Sequence, residues 1–483
     1  MKKLLLLSLL FSKTILLSQT VLNTFPLNLN NLGQTQILNV EDEKTNDIYA
    51  FAWDNKNITI LKYNKSVFLT NQFTDSIKYE KDRNLLGYTI NQENKPMLFW
   101  ISKNSKNILI NKYDLDTKTS KSLNFNFPGN HEYIITSFQQ HDAFYILAKE
   151  KDFEHLLLYK FKDGNCEIKM LDFSTFVFKN DRNVNFSFNA LIKYFPITKM
   201  ESDILNPIDL ASKISKLYVL DDSMILTFDN SLIKTQAFDI DMKSGIIKEK
   251  TFNLPDSQKE SRTSNSFYND KKLFQMFASK EELLFEVKDF DSGNTIKKYS
   301  ISKNDSIPFK TSPFFVQIDN RRPQQINNTA KFLKHLDGLP AGISVLKNKK
   351  SNFITFSGYG EYSDFYYQPD SFGDFGERVP YSISKMVYFD AVFDEKFDLT
   401  KDKKQEPFAI DNLFYFLNIN KKISLFTTLK LKDYYILSYY DSATKQFIMR
   451  KFTDGFMMED NGNPIMNKAL FSNPASFGSI KSQ

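Results

Sequence analysis

One feature constrains this chain more than any other: hairpin-like units recur at a nearly fixed spacing. "HLLLYKFKDGNCEIKML" (His155–Leu171) alternates apolar and polar residues on both sides of Asp163-Gly164. That pair accepts the positive φ angles of a type I′ turn. Comparable units turn at Asn64-Lys65, around Asp116, at Lys243-Ser244-Gly245, at Asp291-Ser292-Gly293, near Asp394 and at Asp441-Ser442. One anchor per hairpin gives positions 64, 114, 163, 241, 291, 394 and 441, with steps of 50, 49, 78, 50, 103 and 47. Four of the six steps lie near 50, and the other two read as the same step with material inserted. Two further strand-like runs precede the hairpins, such as "EYIITSFQQ" and "AFYILAKEK" in the third unit, "LFYFLNIN" and "ISLFTTLKL" in the last.

Seven units of four strands resemble the blades of a β-propeller, over roughly residues 34–454. The resemblance is to the architecture and to no named family. The Trp-Asp dipeptide of WD40 blades and the paired glycines of kelch blades are absent. Trp53 and Trp100 are the only tryptophans, too few for quinoprotein blades. The expected fold is therefore all-β: a seven-bladed propeller, with six or eight blades as alternatives, and short helical insertions on one face. Two tandem sandwiches would need a central Pro/Gly/Ser-rich linker, and none stands out. With 483 residues, 41% of them apolar and 47 of them Phe, a large core is within reach.

The first 19 residues read as an export signal. Lys2 and Lys3 precede an apolar run, and Ser18, Gln19 and Thr20 follow it. The expected location is the periplasm or cell surface, and residues 455–483 read as a C-terminal tail. The formal charge of +6 falls to +3 once Lys2, Lys3 and Lys13 leave with the signal. Charges of both signs are interspersed, which argues against a nucleic-acid footprint. Cys166 is the only cysteine, so no internal disulfide is expected. No other window is apolar enough to cross a bilayer as a helix.

Three long stretches stand outside the blades. Ser174–Ile214 contains "NPIDLASKISK", where Asn206 suits a helix cap, Pro207 the first helical position and Asp209 the first turn. Ser302–Leu339 contains Arg321, Arg322 and a second helical segment with His335, stopped by Gly338. "SGYGEYSDFYYQPDSFGDFGERVPY" (Ser357–Tyr381) reads as a long loop between the second and third strands of the sixth unit. In blade geometry all three emerge on one face, and the hairpin turns leave the other face plain. Tyr359, Tyr362, Tyr366 and Tyr367 offer amphipathic contact area. Alternatively they pack on one another to order the loop. The paired Arg321-Arg322 suits a carboxylate or sulfate.

No metal-ligand spacing, nucleophile elbow or phosphate loop is present, so no catalytic residue, metal or cofactor is assigned. His141-Asp142 reads as a surface turn. Asp370, Asp374 and Glu377 do not match an EF-hand spacing. Four Asp-Ser-apolar segments resemble the acceptor pattern of a bacterial O-glycosylation system, which implies Ser76, Ser223, Ser306 and Ser442 as acceptors. The expected function is an exported, non-catalytic propeller that binds a protein or glycan at the cell envelope. An extracellular polysaccharide lyase or glycoside hydrolase is the alternative.

Overall fold

The computed structural model describes residues 19–30, 33, 35–77, 83–179, 184–201, 204–254, 262–319, 321–348, 351–368, 377–399 and 407–455. Seven antiparallel sheets of four or five strands succeed one another along these residues. The first three are plain meanders that begin at Gln36, Arg83 and Glu132. The fourth (Ser215–Val219 to Ile247–Asn253) gains a parallel strand, Thr198–Met200, at its first strand. The fifth runs from Arg262–Asn269 to Thr295–Ser302. The chain is a β-propeller.

The predicted turns carry the meanders. Asp163 and Gly164 have φ values of 50° and 82°, as the type I′ turn requires. At Asp241 and Asp289 the carboxylate caps the turn instead, accepting hydrogen bonds from Ser244 N–H (2.6 Å) and Ser292 N–H (2.7 Å).

Apolar layers lock each sheet to the next. Trp53 meets Trp100 edge-on at 5.3 Å between sheets 1 and 2, and Phe99 stacks on Phe144 at 4.1 Å between sheets 2 and 3. One cluster unites sheets 3 and 4, and a larger one unites sheets 4, 5 and 6. Between sheets 7 and 1, Ile436, Tyr440 and Met449 pack with Ile37, Ala50 and Leu61.

The last sheet corrects the sequence reading in two ways. "LFYFLNIN" is no strand; Ala409–Ile419 is a helix that buries Leu413 and Phe416 against sheet 7. Sheet 7 then has only three strands from its own stretch, Phe426–Lys430, Tyr435–Asp441 and Gln446–Phe452. Its outer strand is Gln19–Pro26, paired antiparallel with Gln446–Phe452. The propeller therefore begins at Gln19 and not near residue 34. The sixth sheet borrows its outer strand as well. The expected return strand after Asp394 is only a bridge between Phe393 and Leu399, and Phe314–Ile318 pairs with the third strand instead.

The insertions supply helices α1 (Phe188–Tyr194), α2 (Ile208–Ala211) and α3 (Thr329–Leu336); Ala409–Ile419 is α4. Asn328 caps α3 through its side chain, and Gly338 turns the chain away at φ 76°. The cap of α2 is Pro207, not Asn206. Asn206 instead closes the preceding loop, accepting from Glu201 N–H at 2.9 Å and donating to Glu201 O at 2.7 Å.

Closure by the first strand has a measurable consequence. Deleting Gln19–Pro26 will lower the unfolding midpoint by more than the Phe447→Ala variant, whose expected cost is about 3–5 kcal/mol for a buried Phe. Adding the eight-residue peptide in trans will restore part of the loss, read by thermal unfolding. No response to the deletion would remove the closing role.

Candidate functional site

The three excursions do gather on one rim. Segment Ser357–Tyr381, expected as a loop, is mostly strand. Ser351–Gln368 and Glu377–Phe393 form one continuous antiparallel pair, in register from Asn352↔Phe393 to Gln368↔Glu377. Ala341–Asn348 accompanies it only to Gly358, and Phe314–Ile318 only to Lys385. Tyr362–Gln368 and Glu377–Ile383 therefore run on as a two-stranded ribbon, about 23 Å at roughly 3.3 Å per residue.

The excursion between sheets 3 and 4 reaches the ribbon's base. Ile208 of α2 packs with Met386 and Tyr388, with Tyr359 and Phe315 against them. Asn206 N–H donates to Ser344 Oγ of sheet 6 at 3.1 Å. From the other side, α3 and the residues after it lie against two glycines. A Cβ on Gly358 would fall 2.4 Å from Leu336 Cδ1, and one on Gly360 3.0 Å from Leu339 Cδ2. The glycines let Leu336 and Leu339 pack directly on the strand, and a larger residue would displace those side chains.

The predicted site residues separate by this geometry. Tyr359 is half-buried at the base and donates to Glu361 Oε1 at 2.6 Å. Burial, then Glu361 and Asp209, push its phenol pKa up. Tyr362 stands further out, 45% exposed, with Phe365 at 54% and Tyr381 at 40%. Tyr366 and Tyr367 occupy register positions opposite Val379 and Arg378; their side chains lie outside the described residues. Asp364 and Tyr359, five apart on one strand, fall on opposite faces of the ribbon. Asp364 accepts from Tyr381 OH at 3.2 Å.

Arg321 and Arg322 are exposed in the turn after Phe314–Ile318, and the Arg321 charge bears on Tyr381. His335 lies half-buried in the last turn of α3. Burial, and then the charges of Lys385 and Lys334, lower its pKa. Sequence reasoning passed over Lys334, Lys385, Phe365 and Tyr381. The period-2 alternation from Asn352 onward was the available signal that this stretch continues as strand.

Ser76, Ser306 and Ser442 are exposed and Ser223 is half-buried at the start of a strand. Ser442 lies in the turn between the second and third strands of its sheet, where a third-to-fourth turn was expected. Asp370 and Asp374 lie outside the described residues.

Beside α3 a cavity of about 400 Å³ opens between sheets 4, 5 and 6, lined by Phe195, Asp229, Asn265, Leu336, Asp337 and Leu339 among others. Its carboxylates are already committed. Asp229 accepts from Ser266 N–H (2.8 Å), Ser266 Oγ (2.9 Å) and Thr235 Oγ1 (2.7 Å), and lies 3.5 Å from the fully buried Lys216 ammonium. Asp337 pairs with Lys280 at 3.1 Å. Neither is placed as a free acid or base. The opposite rim is less plain than its sequence. His141 contacts Asp221 (3.0 Å) and Glu43 (3.9 Å), and Asp142 gathers Lys162 (2.8 Å), Gln92 (3.0 Å) and Lys44 (3.8 Å). These contacts tie the inner turns of sheets 1 to 4 to one another. Among the described residues, no helix is long and apolar enough to cross a membrane.

No protein-family model and no curated protein matches the chain. Solved structures similar to it include a prolyl endopeptidase, at 10% identity and TM-score 0.33 over 73% of this chain and 47% of that one. The chain thus spans about half that enzyme's length. The WD40 domain of SCAP from fission yeast is similar at 10% identity and TM-score 0.30, over 88% and 83% of the two chains. TolB from Acinetobacter baumannii is similar at 15% identity and TM-score 0.25, over 55% and 54%. Likenesses this distant carry no chemistry or partner across, and the propeller assignment stands on the sheet order itself.

Burial holds the Lys216 pKa down to about 8. Between about pH 8 and its ordinary value near 10.5, the unfolded chain keeps a proton that the folded chain has released. Stability from this group therefore rises with pH across that window. Urea unfolding at pH 7 and pH 9 will show the rise in the parent and not in Lys216→Met. Asp229→Ala will cost more than Lys216→Met, about 3–5 kcal/mol, because it strands a buried cation. Equal costs would contradict this arrangement.

Proposed function

We propose that the protein is an exported, non-catalytic propeller that binds a protein of the cell envelope through the projecting ribbon. The observation that carries this reading is the ribbon itself. Tyr362, Phe365 and Tyr381 stand exposed on two strands that, among the described residues, have no third beside them. Isolated two-stranded ribbons are marginal in water. Exposed aromatic rings on such an element are poor for solubility and good for contact. Two strands that run past the rest of their sheet suit a partner that pairs with or packs on them. A short glycan is better held in a concave pocket. That favours a protein over a glycan.

Export rests on the leader at residues 1–19. The first strand spans Gln19–Pro26, so removal of residues 1–19 takes only its first residue and leaves the closing strand at the mature N-terminus from Thr20. The enzyme alternative is disfavoured because the carboxylates of the cavity are occupied by protein donors. Catalysis by a general acid and base needs groups free to exchange protons with a substrate.

The test is co-purification from envelope extracts with chemical cross-linking. The parent protein should recover a stoichiometric partner. Tyr362→Ala and Phe365→Ala should each reduce recovery about tenfold, the effect of losing a contact worth about 1.4 kcal/mol. Their unfolding midpoints should match the parent, since both rings are exposed. Undiminished recovery with both variants would refute the ribbon as the docking element.

A further inference from the structure

The two faces of the ribbon differ in charge. Register sets Gly360 opposite Lys385, Tyr362 opposite Ile383 and Asp364 opposite Tyr381, so these residues share one face. Helix α3 stands against the base of that face, where Leu336 and Leu339 meet Gly358 and Gly360. A wedge results, with α3 on one side and aromatic ribbon on the other.

Cations collect in this wedge. Lys334 and His335 end α3, Lys385 comes from the ribbon, and Arg321 bears on Tyr381 further out. Among the described residues no carboxylate pairs with Lys334, Lys385 or Arg321. The nearby carboxylates of Asp319 and Asp364 accept hydrogen bonds from the paired strands and form no ion pair with these cations. Asp319 accepts from Ser384 N–H at 2.6 Å, and Asp364 accepts from Phe365 N–H at 2.8 Å as well as from Tyr381. Lys385 is half-buried, and burial lowers its pKa. A partly desolvated ammonium without a counter-ion gains most from an incoming anion.

We infer that the wedge between α3 and the ribbon takes an acidic, extended polypeptide segment of the partner. This rests on the ribbon being the docking element. The backbone favours a polypeptide over an anionic polysaccharide. Among the described residues, the outer edges of the ribbon have no third strand beyond Gly358 and Ser384. An extended peptide matches their N–H and C=O spacing while its carboxylates reach Lys334 and Lys385. A sugar chain lacks that repeat of donors and acceptors.

The test uses the mature full-length protein and fluorescein-labelled hexaglutamate, read by anisotropy at low ionic strength. Hexaglutamine and polygalacturonate serve as competitors. Hexaglutamate should bind and weaken steeply with salt. Lys334→Glu and Lys385→Glu should each weaken it about tenfold. Lys121→Glu, exposed on the outer strand of sheet 2, should leave it unchanged. No binding, or an equal loss with Lys121→Glu, overturns the inference. So does competition by polygalacturonate at a lower concentration of carboxylates than unlabelled hexaglutamate, which assigns the wedge to a polysaccharide. If Tyr362→Ala abolishes partner recovery while both charge reversals leave it intact, the ribbon remains the docking element and the acidic segment falls.

Discussion

The whole architecture depends on one strand pairing. A propeller is a ring of sheets that bury their faces on one another, and an open ring leaves two faces and two edges exposed. Here the ring closes because Gln19–Pro26 crosses to the end of the chain and pairs with Gln446–Phe452. Residues more than 400 positions apart become neighbours, at the loop-closure cost that such separation implies. The apolar layer between sheets 7 and 1 then packs like the layers within the chain.

Sheet 6 is where the regular pattern gives way. Its outer strand precedes its inner ones, its second and third strands overrun the sheet, and its face turned away from sheet 5 is covered by a helix from another gap. Ile343, Phe356 and Phe389 point into the large cluster with sheet 5. By alternation Ser344, Ser357 and Asp390 point the other way, and all three are buried. Such a polar face cannot be sealed by a simple apolar layer. Asn206 and Ile208 reach it from the insertion between sheets 3 and 4, one by a hydrogen bond to Ser344 and one by packing on Met386 and Tyr388. The same insertions that finish the core position the ribbon, so the base of the site is anchored by packing.

The sequence exposed the meanders through local chemistry. Alternation at period two and turn residues such as Asp163-Gly164 act within a dozen positions, and five of the seven hairpins hold as drawn. It failed wherever a strand's partner is remote. "LFYFLNIN" alternates poorly and is apolar on several sides, which suits a helix packed on sheet 7 as well as a buried strand. The outer strands of sheets 6 and 7 precede the strands they pair with, by tens of residues in one case and by the length of the chain in the other. No local signal marks such partners. The ribbon was misread for a different reason: glycines and acids at Gly358, Gly360, Glu361 and Asp364 look like loop composition, but the glycines are there to admit Leu336 and Leu339.

The sequence by itself determined the class of fold, its period near fifty residues and the rim to which the long excursions belong, because turn chemistry and strand alternation are short-range. Only the tertiary structure decided that the first strand closes the ring, that the aromatic stretch is a ribbon, and that Lys334 and Lys385 both lie near His335 at its base. Those outcomes depend on packing between segments far apart in the chain, where side-chain volume and register, and not local propensity, select the neighbour.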